Sequence, residues 1–141
     1  MALRADQRDY RQAFKKHLHA YSNWSATGST SSKRLILAYC VECGLKCAIM
    51  KQENLFQTSQ AQQDLSEVLR SHDFRKLLKQ LKQIGTYSFP PIKTNYHENV
   101  HPGNYHEFCR YCIKPEDTYM GAIQQYDNTL EKIAKWIEEH I

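Results

Sequence analysis

Tyr39-Cys40-Val41-Glu42-Cys43-Gly44-Leu45-Lys46 is the stretch that decides the fold, with Ser71-His72-Asp73 next in importance. Residues three, four and seven apart share a helical face, so Tyr39, Glu42, Lys46 and Glu53 fall close to one side of a helix. Around that stripe, from Leu35 to Met50, nearly every position is apolar or small. A helix hydrophobic almost all round is the buried centre of a bundle. Glu42 and Lys46 then form a charge pair in or beside the core, where ionised groups are costly unless partnered. The same spacing also suits an ordinary i,i+4 pair on a solvent-facing strip.

Working outward, the periodicity predicts helix one from about residue 6 to 21, with Tyr10, Phe14, His17 or Leu18, and Tyr21 facing inward. A Ser/Thr/Gly-rich loop at 22–32 follows, and its last serine, Ser32, can cap the central helix, which should run to about Glu53. A Gln/Ser linker leads to a short amphipathic piece near residues 64–69. Asp73 reads as the N-cap of a helix through Ile84, stopped by Gly85, with Phe74, Leu77, Leu78 and Leu81 inward. The segment 85–103 reads as irregular and without a strand, because Pro90-Pro91 and His101-Pro102 forbid a continuous helix. A short helix near 104–113 comes next. Pro115 suits the first turn of a last helix running to Glu139, in which Tyr119, Ile123, Tyr126, Leu130, Ile133 and Ile137 recur by four and three. The expectation is one all-α domain over residues 1–141: an up-down bundle of four main helices with short extra ones.

A chain of 141 residues can bury a core without disulfides or a metal. The net charge of +4 and pI near 8.8 are compatible with a polyanionic partner without demanding one. No apolar run suffices to cross a bilayer, so no membrane partner is expected. The charged start Met1-Ala2-Leu3-Arg4-Ala5-Asp6 is unlike a signal peptide. Five cysteines, an odd count with three on one helix, read as reduced thiols in a cytoplasmic protein.

The pattern Tyr-x-x-Glu-x-Gly-Leu-Lys at 39–46, followed by Ser71-His72-Asp73-Phe74-Arg75-Lys76-Leu77-Leu78 and by Arg110-Tyr111 before the last helix, resembles the HEPN (higher eukaryotes and prokaryotes nucleotide-binding) family. The resemblance spans residues 32–137. It implies a small helical domain that pairs as a homodimer across a shared groove, in a bacterial toxin–antitoxin or antiviral defence system. Many members are metal-independent ribonucleases with an Arg and, a few residues later, a His near the start of the last core helix. Arg110 matches that arginine, but no histidine follows it before His140. RNA cleavage through the 2′-hydroxyl needs proton transfer near neutral pH, which imidazole does best. The resemblance therefore implies a diverged member that binds RNA, a nucleotide or an operon partner protein. The first alternative is an active ribonuclease with catalytic Arg110 and a rearranged His106, one turn away, or His72. The second is a structural subunit of a larger effector. The implied binding residues are Tyr39, Glu42, Lys46, His72, Asp73, Arg75, Lys79, Arg110 and Tyr111, with Glu42 orienting the Arg110 fork. No cofactor is implied.

Cys40-x-x-Cys43 and Cys109-x-x-Cys112, with His97, His101 and His106 nearby in sequence, invite comparison with a zinc site. Against that, Cys40, Cys43, Cys47 and Met50 form a helical stripe in which free Cys acts as a small hydrophobe. No metal site is expected. No glycine-rich phosphate loop exists, which removes support for kinase or ATPase readings. The strip Arg70, Arg75, Lys76, Lys79 and Lys82 suits a phosphate backbone or, equally, a solvated helix face.

Overall fold

The computed structural model describes residues 3–25 and 27–141; Met1 and Ala2 of the charged N-terminal segment and Ala26 of the first loop lie outside them. The described residues form six helices: α1 (Gln7–Ser22), α2 (Thr30–Gln52), α3 (Gln63–Leu69), α4 (Phe74–Gln80), α5 (Tyr105–Arg110) and α6 (Met120–His140). The chain is thus mostly helical, as its patterning indicates. Three helices are long and three are short, where the sequence suggested four main ones. No helix among the described residues is long and apolar enough to cross a membrane.

Helix α2 is the axis, packing against α1, α4, α5 and α6. Every residue from Gly44 to Met50 is buried, as are Leu37, Ala38, Cys40 and Val41. Gly44 marks the closest crossing. A Cβ added there would come within 2.6 Å of Phe14 on α1 and 2.8 Å of two Ile137 methyl carbons on α6. Three helices meet at a position with no side chain, because only there can their axes approach so closely. Helix α1 turns Phe14 fully inward, with Tyr10, Leu18 and Tyr21 half-buried against the core. On α6, Ile123, Tyr126, Leu130, Ile133 and Ile137 are buried at the anticipated spacing. Arg34 Nε donates to both carboxylate oxygens of Asp127, at 3.1 and 3.0 Å, tying the start of α2 to α6.

The helix ends depart from the sequence reading. Ser29, not Ser32, caps α2, its hydroxyl accepting from the Ser32 amide. Helix α4 stops at Gln80, well before Gly85. Its exit pairs the Lys82 amide with the Lys79 carbonyl at 3.0 Å and the Gln83 amide with the Leu78 carbonyl at 2.8 Å. That is a Schellman closure, with Lys82 left-handed at φ 59°. Helix α2 ends the same way at Asn54 (φ 55°) and α5 at Cys112 (φ 51°). None of the three uses glycine. Pro115 does not open the last helix: it bridges Thr94, and a 3₁₀ turn at Asp117–Tyr119 precedes α6. The segment read as strandless holds a minimal antiparallel ladder, β1 (Ile92–Lys93) with β2 (Asn99–Val100), in register Ile92 to Val100. Beneath it Tyr105 of α5 stacks on Tyr126 of α6, with ring centroids 4.2 Å apart and planes 8° from parallel. Phe89 packs on Tyr126 and on Phe74 of α4. This aromatic layer fixes α5, and with it His106 and Arg110, against α4 and α6.

Candidate functional site

Three elements converge on one surface. Helix α2 contributes Tyr39, Glu42 and Lys46. The turn before α4 contributes His72 and Asp73, and α5 contributes His106 and Arg110. Glu42 is the hub. Its Oε2 accepts from Lys46 Nζ at 3.0 Å, and its Oε1 lies 2.8 Å from His72 Nδ1. The His72 imidazole sits 4.6 Å, centroid to centroid, from that of His106, tilted by 42°. One helical turn beyond His106, Arg110 Nη2 donates to the Tyr39 hydroxyl at 2.9 Å. Glu42 and Lys46 are nearly enclosed, with side chains 12% and 6% exposed. His72, Arg110 and Tyr111 face solvent.

The electrostatics follow from that gradient of burial. Desolvation lowers the pKa of His106, and the nearby His72 and Arg110 lower it further. A neutral imidazole results near neutral pH. Its Nδ1 is buried without a hydrogen-bond partner among the described residues. At Arg110 the Tyr39 hydroxyl bond holds the guanidinium firmly charged, and Tyr111 adds to this with its ring 5.8 Å from Arg110 Cζ. A carboxylate at His72 Nδ1 orients the ring and leaves Nε2 as the outward nitrogen.

The sequence-selected residues Tyr39, Glu42, Lys46, His72, His106 and Arg110 therefore come together. Two details differ. Tyr39, not Glu42, holds the Arg110 fork, because the Glu42 oxygens are taken by Lys46 and His72. Lys46 points inward rather than toward a ligand, with Nζ 5.8 Å from the Tyr10 ring. Asp73 caps α4 as its place in the sequence indicates, accepting from the Arg75 amide at 2.9 Å. Glu53 lies just past the end of α2 as its C-cap, its amide donating to the Ile49 carbonyl. Lys79 is exposed on α4, and Arg75 lies over the Phe89 ring. Sequence reasoning missed Tyr10, whose place beneath Lys46 depends on the α1–α2 crossing at Gly44; its inward spacing on α1 was the only signal.

The thiols of α2 belong to the core. Burial pushes Cys40 up to about 12 and Cys43 up to about 11, so both are protonated and inert near neutral pH. Cys109, also buried, is pushed up to about 12, and Cys112 is the left-handed residue of the α5 exit. Among the described residues no three His, Cys, Asp or Glu side chains group as a metal site requires.

Compared with protein-family models, with curated proteins and with solved structures, the chain finds no significant match.

Proposed function

We propose that this chain is a HEPN-like domain that binds RNA at the Tyr39–Glu42–His72–His106–Arg110 cluster and cleaves it without a metal. The observation that carries this reading is the pair of imidazoles in contact, one backed by Glu42, with an exposed guanidinium one turn away. The histidine missing downstream of Arg110 has two candidate substitutes: His106, one turn before it on α5, and His72 from the α3–α4 connection, which meets His106. In the reaction, neutral His106 accepts the proton of a ribose 2′-hydroxyl. The 2′-oxygen then attacks phosphorus, and the bond to the 5′-oxygen breaks as His72, oriented by Glu42, delivers a proton to it. The products are a 2′,3′-cyclic phosphate and a 5′-hydroxyl. Two groups whose surroundings differ in this way divide the acid and base roles. Arg110 neutralises the phosphate oxygens with a planar fork that Tyr39 holds in place. A two-fold pairing of chains across this exposed face extends the groove and presents two such clusters to one strand.

Incubating total RNA in EDTA with wild type, Arg110→Ala, His106→Ala and His72→Ala tests the proposal. Wild type cleaves, and each variant loses at least about a hundredfold, the range typical of general acid–base groups. RNA binding without cleavage by wild type would leave a binding module and overturn the catalytic reading. No RNA binding would overturn both and favour a structural subunit, and a strictly monomeric mass by light scattering would remove the two-fold groove.

A further inference from the structure

Beside the cluster lies a depression of about 260 Å³ between the start of α4 and the β1–β2 ladder. Phe89, Pro91 and Pro102 supply apolar walls, while Arg75, Asn99 and His101 supply the polar rim. Its rim reaches the turn before α4: a Cβ placed at Gly103 would lie 3.2 Å from the His101 ring and 3.4 Å from Oδ2 of Asp73, the residue after His72. Arg75 is the telling group. Its guanidinium carbon stands 6.0 Å from the Phe89 ring centroid, and among the described residues it has no carboxylate partner. The Asn99 side-chain amide is likewise without a hydrogen bond among the described residues.

We infer that this depression is a nucleobase subsite that takes a guanine. Flat apolar walls accept one base, and an unpaired guanidinium steadied on an aromatic face offers two parallel donors to the O6 and N7 acceptors that only guanine presents together. The Asn99 amide offers a further donor and acceptor at the rim. The inference deepens and rests on the RNA reading: the subsite holds a base while His72, His106 and Arg110 act on the neighbouring phosphate, so cleavage occurs beside guanosine.

The test uses the full chain labelled with ¹⁵N, titrated separately with guanosine 5′-monophosphate, cytidine 5′-monophosphate and ribose 5-phosphate. The expected result is movement of the Asn99, Val100 and His101 amides with the guanosine nucleotide, at least about tenfold more tightly than with the cytidine nucleotide. Ribose 5-phosphate leaves those amides in place. Arg75→Met, which keeps a long apolar stem over Phe89, lowers guanosine affinity about tenfold. Equal shifts for all three probes, or unchanged guanosine affinity in Arg75→Met, would overturn the subsite. Cleavage of RNA without base preference would overturn the subsite and leave the ribonuclease reading standing. Guanosine-selective shifts without any RNA cleavage would uphold the subsite and overturn the ribonuclease reading.

Discussion

Removing Glu42 strands a buried cation, and the resulting loss of stability can be worked from the geometry. The Lys46 side chain is 6% exposed, its Nζ is 3.0 Å from Glu42 Oε2, and its other near neighbour is the Tyr10 ring. Breaking a buried pair from one side costs about 3–5 kcal/mol, because the remaining charge keeps its desolvation without its partner. The residual 12% exposure of Glu42 places Glu42→Met at the lower end, about 3 kcal/mol. Lys46→Met is milder, about 2 kcal/mol, since Glu42 still faces His72 and keeps a hydrogen bond. Replacing both by methionine returns an apolar surface of similar volume, and the double variant should lie within about 2 kcal/mol of wild type. The cycle then closes with a coupling of at least about 3 kcal/mol, at or above the top of what contacting residues show. Urea unfolding of the four proteins by far-UV circular dichroism measures it. Additive losses, or a Glu42→Met loss below about 1 kcal/mol, would refute the claim that this pair is buried and mutually dependent.

Gly44→Ala should destabilise by about 1–2 kcal/mol, the overpacking against Phe14 and Ile137 exceeding the roughly 1 kcal/mol gain in helix propensity; a raised thermal midpoint would show that the α1–α2–α6 crossing has slack. His106 and His17 both have pKa values lowered by burial, and His106 is lowered further by His72 and Arg110. Below 6.5 the unfolded chain therefore binds protons that the folded chain does not. Stability should rise with pH from the depressed folded values up to 6.5 and flatten above, and His106→Gln should lessen that slope in urea midpoints taken between pH 5 and 7.5. Tyr39→Phe deletes the acceptor that fixes Arg110 but not the ring; it should weaken RNA binding about three- to tenfold in a filter-binding assay and leave the fold's stability within about 0.5 kcal/mol.

The long helices were legible because burial is periodic in them: the inward stripes of α1 and α6 and the all-round apolarity of α2 needed no knowledge of their partners. The short helices were harder to delimit. Their exits at Lys82 and Cys112 are Schellman closures built without glycine, so the usual punctuation is missing, and the glycine that was present, Gly85, lies beyond the true end of α4. The β1–β2 ladder is only two residues on each side, too short for an alternating pattern to register. At the site, residues sharing α2 could be grouped from spacing alone. That His72 and His106 meet, and that Tyr39 rather than Glu42 holds Arg110, depends on how α4 and α5 dock on α2, and this is set by the Tyr105–Tyr126 aromatic layer. Pairings between distant segments leave no local trace in the chain.

Proton transfer by His72 and His106 on an RNA phosphodiester leaves a signature in the ends of the cut strands. An end-labelled RNA oligonucleotide and its copy carrying one 2′-deoxyguanosine at the preferred site are incubated with the protein in EDTA, and the products are resolved by mass spectrometry. The expected products are a 2′,3′-cyclic phosphate and a 5′-hydroxyl from the RNA, with no cut at the deoxy position, where the attacking oxygen is absent. Cleavage at the deoxy position, or products bearing a 5′-phosphate, would mean that water rather than the 2′-hydroxyl attacks, and would contradict the roles assigned to both histidines.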